Sequence, residues 1–383
     1  AEGLSNVLAA MGRSLFAGLR WAVRGGQTPS SGAITRARAR LGVRPMFRLL
    51  RRMAENWFAR HGEALRWRGM ALVALDGTAL RMPDSPRNFA YFGTHRSGSR
   101  GKPSAYPFAN VVVALCAISH VVLACAVGRS HVSEWNLVRR LLGKLPKRCL
   151  LLMDRGFLGC AWLQEVQRDG HDFVVRFRRG RKLHDVRAIG PGEALARIHL
   201  SSKQRKARPD LDHTLEVRVI TYQRPGFPPV TLLTSLTNPL AFTAEEIVAR
   251  YRDRWEVELT FDEVKTHLLA SHVSLRSKSP RLVWQEIAGV LIAHNLVRMH
   301  MGDAAAKAGV PPHRLSYTAS VVRLRDLQRR MADAPAVRLP RLLADAHAEI
   351  ATCVLPPRRP RTYPRVVKAN PCRYPIRRRS RAA

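Results

Sequence analysis

Four polar side chains share one face of a predicted helix in the second half of the chain. The segment Y-R-D-R-W-E-V-E-L-T-F-D-E-V-K spans residues 251–265. At about 100° per residue, Tyr251, Arg254, Glu258 and Lys265 fall within a stripe about 60° wide. Glu258 could bind a metal ion while its neighbours hold phosphates. A solvated helix face with an Arg254–Glu258 pair at i,i+4 fits the same spacing, so both interpretations stand.

Two more carboxylates follow apolar, strand-like runs. M-A-L-V-A-L-D ends in Asp76 and is followed by a predicted Gly-Thr turn, and R-C-L-L-L-M-D ends in Asp154. Sites in open α/β sheets form at the carboxyl ends of strands. Two aspartates and a helical glutamate are oxygen donors that suit Mg²⁺, with Mn²⁺ as a substitute, better than Zn²⁺. Two such ions can promote phosphodiester cleavage. Taken alone, each aspartate could instead be a turn former or helix cap.

The charge of the chain indicates a polyanionic partner. Its 383 residues include 65 Lys and Arg against 28 Asp and Glu, a net charge of +37. Arg outnumbers Lys, which suits bidentate contacts to phosphate. We therefore expect binding to double-stranded DNA, with an anionic membrane surface as the alternative.

Strand-like and helix-like runs alternate from residue 70, which predicts an α/β sheet covered on both faces. The apolar run 108–127 is long enough to cross a membrane, but its β-branched residues and a predicted turn at Ser119-His120 favour a buried hairpin. Residues 179–238 break the alternation with two strand-like runs, 215–222 and 229–236. We interpret them as a β-rich insertion.

Helix signals flank this sheet in the sequence. Residues 28–62 predict two basic helices around G-V-R-P, either a DNA-binding unit or a helical subdomain with solvated arginines. A capped start at Thr243 leads into the segment described first, and residues 284–298 predict a buried helix. The tail from Pro356 is rich in proline and lacks acidic residues. We expect the tail to be extended and to contact phosphate or remain disordered.

These segments together resemble the insertion sequence 4 family of DDE transposases. The spacing Y-x-x-R-x-x-x-E-x-x-x-x-x-x-K is similar to the family signature. A-L-D-G-T (74–78) with P-D-S-P-R-N (83–88) resembles the segment around its first aspartate, and M-D-R-G-F (153–157) resembles the second. I-A-H-N-L-V-R (292–298) is similar to a further family segment. The resemblance extends over roughly residues 28–380.

The resemblance implies a ribonuclease-H-like mixed-sheet core, interrupted by the β-rich insertion and preceded by a helical N-terminal DNA-binding region. It implies a catalytic and metal-binding triad, Asp76, Asp154 and Glu258, and DNA-handling roles for Tyr251, Arg254 and Lys265. Relatives cut both strands at element ends, some through a hairpin with an extruded base. Trp255 could stack on a distorted DNA end or belong to the core, and the insertion offers two aromatic residues for an extruded base, Tyr222 and Phe227.

The function expected from this resemblance is cut-and-paste transposition: metal-dependent cleavage and strand transfer at insertion-element ends, by a homodimer on paired ends. A non-catalytic DNA-binding protein on this scaffold and a stand-alone nuclease are the alternatives.

Six cysteines without metal spacing predict reduced thiols, and the first residues lack signal-peptide features, so we expect a bacterial cytoplasmic protein that is not in the membrane. The expected regions are 1–68 (helical, DNA-binding), 69–178 (first part of the catalytic core), 179–238 (insertion), 239–330 (second part of the core) and 331–383 (basic C-terminal region).

Overall fold

The computed structural model of the chain describes residues 30–94, 106–178, 180–268, 275–332 and 334–356. The basic tail that the sequence predicts to contact phosphate lies outside these residues, apart from Pro356 at its start. Among the described residues, no helix combines the length and apolarity needed to cross a membrane.

One mixed sheet organises the fold. Its strands are β1 Arg66–Trp67, β2 Met70–Arg81, β3 Phe108–Cys116, β4 Val122–Arg129, β5 Cys149–Met153, β6 Asp172–Arg176, β7 His184–Gly190, β8 Glu193–His199, β9 Thr214–Tyr222 and β10 Val230–Thr234. The order is β4-β3-β2-β5-β6-β10-β9-β8-β7, with β1 paired to β2. Strands β2, β3 and β4 form an antiparallel meander, and β5 and β6 lie parallel to β2. This is the ribonuclease-H-like arrangement that the resemblance implies.

Helices precede, interrupt and follow the sheet. They are α1 Ser31–Leu41, α2 Arg44–His61, α3 Pro86–Phe92, α4 Glu134–Val138, α5 Cys160–Arg168, α6 Ser202–Ala207, α7 Ala244–Arg252, α8 Glu256–Asp262, α9 Pro280–Ala308, α10 Tyr317–Ala332 and α11 Leu339–Ala351. The two predicted N-terminal helices are confirmed: the Ser30 hydroxyl caps α1, and Gly42 ends it at a φ of 74°. The predicted start at Thr243 is also confirmed, because Thr243 and Glu246 form a capping box.

The strands are apolar throughout because both faces of the sheet are covered. Along β2, Val73 and Leu75 pack into one core, whereas Leu72 and Ala74 pack into clusters on the other side. All four side chains are at most 1% exposed. Alternate residues of a strand point to opposite faces, so the continuous apolar run predicted from the sequence is what a doubly covered sheet requires.

The apolar run 108–127 is a hairpin, as predicted. Strands β3 and β4 pair in antiparallel register from Ala109 with Arg129 to Leu115 with Val122. The turn between them contains Ser119 and His120, and the φ of His120 is 62°. Asn295 of α9 then fastens β4, the edge strand of the sheet, through two hydrogen bonds to the main chain of Val122, at 2.8 and 2.9 Å.

Two details of the sheet differ from the sequence expectation. Strand β2 does not end in a Gly-Thr turn after Asp76, because β3 is long enough to continue the pairing through Asp76–Val113 and on to Arg81. The β-rich segment has four strands and one helix rather than two strands. Its last strand, β10, pairs with β6, so the sheet continues from the core into the segment predicted as an insertion.

Candidate active site

The two predicted aspartates lie side by side at one edge of the parallel part of the sheet. Strands β2 and β5 pair in parallel up to Leu75 and Met153. Asp76 is the next residue of β2, and Asp154 directly follows β5. Adjacent strands lie about 4.8 Å apart, so the register alone brings both carboxylates to one place.

Backbone amides orient both carboxylates. Oδ1 of Asp76 accepts a hydrogen bond from the amide of Gly77 at 2.8 Å. Oδ1 of Asp154 accepts one from the amide of Gly156 at 2.8 Å and caps the 3₁₀ turn Arg155–Phe157. The helix-cap interpretation of Asp154 is therefore right as a description of its local bond, and it does not exclude a second role for the same carboxylate.

Asp76 is held in an environment that disfavours its charge. Burial raises the pKa of Asp76 to about 6. The Gly77 amide and Arg254 oppose this shift, while Asp154 and Glu134 add to it. A half-buried carboxylate beside other acids is relieved when a cation binds between them, so the electrostatics of this site favour cation binding.

The signature segment is helical but not one regular α-helix. Helix α7 ends at Arg252, a 3₁₀ turn covers Asp253–Trp255, α8 follows, and Glu263–Leu268 is π-helical. The expectation of a single uniform helix is wrong here. Local π-helical turns inside α-helices are frequent at functional sites, and this one contains Lys265.

Three of the four signature side chains interact with the aspartate pair, and the fourth, Glu258, pairs with Arg254. Nη2 of Arg254 donates to Oε1 of Glu258 at 3.1 Å, and the Arg254 charge also acts on Asp76. Partial burial lowers the pKa of Lys265, and Asp76 opposes that shift. Burial raises the pKa of Tyr251 to about 12, with a smaller upward contribution from Asp154. Glu258 therefore contacts Arg254, which in turn acts on Asp76, whereas Arg254, Lys265 and Tyr251 each interact electrostatically with one of the two aspartates.

The burial of Tyr251 and Arg254 excludes the interpretation of this segment as a solvated helix face. Tyr251 is 6% exposed and Arg254 is 8% exposed, whereas the side chain of Glu258 is 46% exposed. The Arg254–Glu258 pair expected of a surface helix does form, yet its arginine is buried. The stripe is therefore an inward-facing polar surface with Glu258 at its open side.

The aromatic residues separate into different surroundings. Trp255 is 55% exposed, with the Arg254 guanidinium 5.1 Å from its ring, so the core interpretation of Trp255 is wrong. Tyr222 packs against the apolar cluster that contains Tyr251. Phe227 lies in the loop after β9, with the Arg224 guanidinium 5.0 Å from its ring.

Glu134 is an acid of this site that the sequence indicated only as a helix start. It is the first residue of α4, after the N-cap Ser133, and its carboxylate covers the α-carbon of Gly77, where any side chain would collide with it. Desolvation raises the pKa of Glu134, with a further contribution from Asp154. The glycine directly after Asp76 was the available signal, but only tertiary packing brings α4 next to Gly77 of β2.

A buried ion pair supports the π-helical turn. Arg298 of α9 is 2% exposed and Glu263 is 8% exposed, and their side chains form a bidentate pair. Next to it, Nε2 of His294 contacts the carbonyl oxygen of His120 at 2.9 Å. The segment I-A-H-N-L-V-R therefore connects the hairpin to the turn that carries Lys265.

The donor set suits a hard divalent cation. Asp76, Asp154 and Glu134 are oxygen donors that act on one another electrostatically, Glu258 is a fourth carboxylate, held by Arg254, and Arg254 and Lys265 supply positive charge. Carboxylate oxygens are the protein ligands that Mg²⁺ and Mn²⁺ prefer. The same surface offers cations for phosphate groups, so it can bind a phosphodiester next to a metal ion.

A family model and two sequence relatives belong to one class of protein. A family model described as "Transposase DDE domain" matches residues 67–296. Transposase InsG for insertion sequence element IS4, from Escherichia coli strain K12, is 34% identical over 346 residues, 90% of this chain and 77% of that protein. Putative transposase InsZ, from the same strain, is 30% identical over 125 residues, 33% of this chain and 42% of that protein. A structure of piggyBac transposase in a synaptic complex with hairpin DNA aligns with a TM-score of 0.42 and 13% identity, over 76% of this chain and 59% of that one.

Proposed function

Because the chain belongs to the insertion sequence 4 family of DDE transposases, and is thus an enzyme of DNA transposition, we propose that Asp76, Asp154 and Glu258 are its catalytic residues. DDE transposases depend on divalent metal ions, and we propose Mg²⁺, with Mn²⁺ as a substitute, bound by these three carboxylates. The observation that carries the proposal is the register of β2 and β5, which end their parallel pairing at Leu75 and Met153.

Each residue around the proposed metal site has a separate role in this proposal. When bound, the divalent ions would activate the attacking oxygen and stabilise the leaving oxygen of the scissile phosphodiester. The amides of Gly77 and Gly156 keep the two aspartates oriented. Glu258, paired with Arg254 in this structure, would hold the metal ion together with the two aspartates, and the Arg254 guanidinium would then be available to bind a DNA phosphate.

Lys265 and Tyr251 position the DNA in this proposal. The Lys265 ammonium holds a phosphate beside the scissile bond. The Tyr251 hydroxyl keeps its proton at neutral pH because its pKa is about 12, so it can donate a hydrogen bond to a second phosphate. Trp255, exposed next to Arg254, stacks on a base at the distorted DNA end. Orienting the scissile bond in this way can contribute several orders of magnitude in rate.

The partners of the site follow from its substrate. We propose that the chain binds double-stranded DNA at the terminal repeats of its element and at the target, in the bacterial cytoplasm. Two ends must be joined to one target, which a homodimer on paired ends accomplishes. The net charge of +37 supports this, since it favours close approach of two DNA duplexes.

We propose a function for each of the five regions expected from the sequence, with unchanged boundaries. Residues 1–68 bind element ends, 69–178 and 239–330 carry the catalytic side chains, 179–238 extends the sheet, and 331–383 is a basic C-terminal region. The pairing of β10 with β6 supports a rigid attachment of the third region.

A cleavage assay tests the proposed catalytic residues. The full chain, Asp76→Asn and Asp154→Asn are incubated with a duplex that carries the terminal repeat of the element and a flank, with Mg²⁺ or with EDTA. Asp345→Asn is the matched control, because Asp345 is an exposed acid on α11. We expect Mg²⁺-dependent cleavage by wild type and control, and background cleavage with retained DNA binding by the other two. Cleavage by Asp154→Asn at the wild-type rate would contradict the assignment.

A further inference from the structure

A second cluster of metal-ligating side chains lies on the helices around the sheet. His300 and Asp303 are three residues apart on α9, which puts them on one helix face, and His347 lies on α11. Their ligand atoms all lie within 4.8 Å of one another. His61, the last residue of α2, adds a fourth side chain, with its Nε2 atom 3.1 Å from Oδ1 of Asp303.

We propose that His300, Asp303 and His347 are three protein ligands of a Zn²⁺ ion and that His61 orients the Asp303 carboxylate. Two imidazole nitrogens and one carboxylate oxygen are ligands typical of Zn²⁺ rather than Mg²⁺. The set therefore differs in chemistry from the all-carboxylate catalytic site.

The distances fit a metal ion between the side chains. Nδ1 of His300 and Nε2 of His347 face each other at 3.0 Å. Two nitrogens on a tetrahedral zinc, each about 2.0–2.1 Å from the ion, are about 3.3 Å apart. Separation of the two rings by a few tenths of an ångström would place the ion between them.

Burial gives a second, independent reason. His347 is 5% exposed, and its Nδ1 atom is buried without a hydrogen-bond partner. Nε2 is the ring nitrogen that faces His300, so the unpartnered Nδ1 is not itself a ligand; it shows that burying this imidazole is costly. Met301 and Ala346 beside it are apolar and fully buried, so the His347 side of the cluster is shielded from water, whereas His300 and Asp303 are partly exposed.

The proposed site would connect segments that are distant in the sequence. His300 and His347 are separated by 47 positions, and His61 brings in α2 from the N-terminal helical region. A carboxylate that binds a metal is commonly fixed by a second hydrogen bond, the role assigned here to His61. Metal binding to a site absent from the unfolded chain adds its free energy to folding. Zinc would thus fasten α2 and α11 to α9.

The test measures metal content and spectra of the full chain. Wild type, His300→Gln and His347→Gln are loaded with Zn²⁺, desalted and analysed by mass spectrometry of the metal, and their Co²⁺ forms are examined for visible d–d bands. His213→Gln is the matched control, since His213 is exposed and directly precedes β9, outside the helices that carry the cluster. Asp76→Asn separates this site from the catalytic carboxylates. Circular dichroism verifies that each variant is folded.

We expect about one zinc per chain in wild type, His213→Gln and Asp76→Asn, as for a preformed site. We expect a loss of most of that zinc, and of the Co²⁺ bands, in His300→Gln and His347→Gln. Zinc should also raise the unfolding temperature of wild type and leave that of His300→Gln unchanged. Unchanged zinc content in both cluster variants would overturn the proposal. A zinc-free wild type would do so as well, and would identify the pair as a histidine–histidine hydrogen bond.

Discussion

The Arg254 guanidinium donates to the Glu258 carboxylate at 3.1 Å, while its charge also opposes the rise that burial causes in the pKa of Asp76. One buried cation therefore interacts with two of the three proposed catalytic acids. A divalent ion bound by these acids would take over that charge compensation. Arg254 would then be free to bind phosphate, so metal binding and DNA binding should be coupled through this residue.

Substitution of the signature cations should damage chemistry more than folding. We expect Lys265→Ala and Arg254→Ala to lower cleavage on the order of 100-fold through misplacement of the scissile bond. An exposed pair would contribute less than about 1 kcal/mol and leave cleavage unaffected. Arg341→Ala, an exposed arginine on α11, is the control. Cleavage rates and urea unfolding curves are measured side by side, and wild-type cleavage by both site variants would return the segment to a structural role.

The pH dependence of cleavage should reflect Asp76. Its carboxylate must lose its proton to bind a metal, and its pKa is about 6. Single-turnover cleavage at limiting Mg²⁺ should therefore decrease as the pH falls through about 6. High Mg²⁺ should shift the midpoint to lower pH, because metal binding competes with the proton. A flat profile between pH values on either side of 6 would show that Asp76 is not a metal ligand.

The same shift has a consequence for stability. The pKa of Asp76 is higher in the folded chain than in the unfolded one, so the folded state binds the proton more tightly. Stability is then lost as the pH rises towards 6, and the loss is complete above it. Without metal, Asp76→Asn should raise the free energy of unfolding by about 1–2 kcal/mol near pH 8, and the gain should shrink as the pH falls below 6. Urea unfolding at several pH values measures it, and a destabilised Asp76→Asn chain would contradict the expectation.

Glu134 should contribute to metal affinity. We expect Glu134→Gln to weaken Mn²⁺ binding several-fold by calorimetry and to lower cleavage at limiting metal, with partial recovery at high metal. Gly77→Ala should have a similar effect, because a Cβ there displaces the Glu134 carboxylate. Glu245→Gln, also an acid in the first turn of a helix, is the control. Equal Mn²⁺ affinities for Glu134→Gln and wild type would remove Glu134 from the site.

The hydrogen bonds between Asn295 of α9 and Val122 of the edge strand β4 should be important for stability. Asn295 makes two hydrogen bonds to Val122 and is fully buried, so Asn295→Ala leaves a buried amide and carbonyl without partners. We expect a loss of about 1–3 kcal/mol in the free energy of unfolding. Asn56→Ala, at an exposed helical position, should change it by less than about 0.5 kcal/mol. Equal unfolding curves for the two variants would show that these hydrogen bonds contribute nothing.

DNA affinity should fall steeply with salt. Each neutralised phosphate contributes a slope of about −0.9 to the plot of log affinity against log salt, and the net charge of +37 predicts several such contacts. Fluorescence anisotropy with an element-end duplex at low and moderate ionic strength measures the slope. An affinity independent of salt would contradict the electrostatic account.

Much of the core could be predicted from the sequence because its signals are local. The apolar runs before Asp76 and Asp154 predicted strands buried on both faces, and the hairpin 108–127 follows from its turn. The extension of β2 to Arg81 could not be predicted, because it depends on how far β3 continues to pair. Strand order is likewise a property of the assembled sheet.

The sequence was sufficient to predict most residues of the site but not the local geometry that positions them. The 3.6-residue period groups Arg254 with Glu258, yet it assumes a regular helix and misses the π-helical turn that carries Lys265. Glu134 and the cluster around His347 could not be predicted from the sequence, because these residues contact their partners only through tertiary packing. No spacing in the chain connects Glu134 with Gly77, or His347 with His300.

The position of bound Mn²⁺ tests the central claim most directly. Crystals of the full chain with element-end DNA and Mn²⁺ are measured at the manganese absorption edge, where anomalous scattering locates the ion without assumptions about ligands. We predict a peak between the carboxylates of Asp76 and Asp154, with Glu258 separated from Arg254 and directed to the ion. A manganese peak remote from these three acids, with Glu258 still paired to Arg254, would contradict the account.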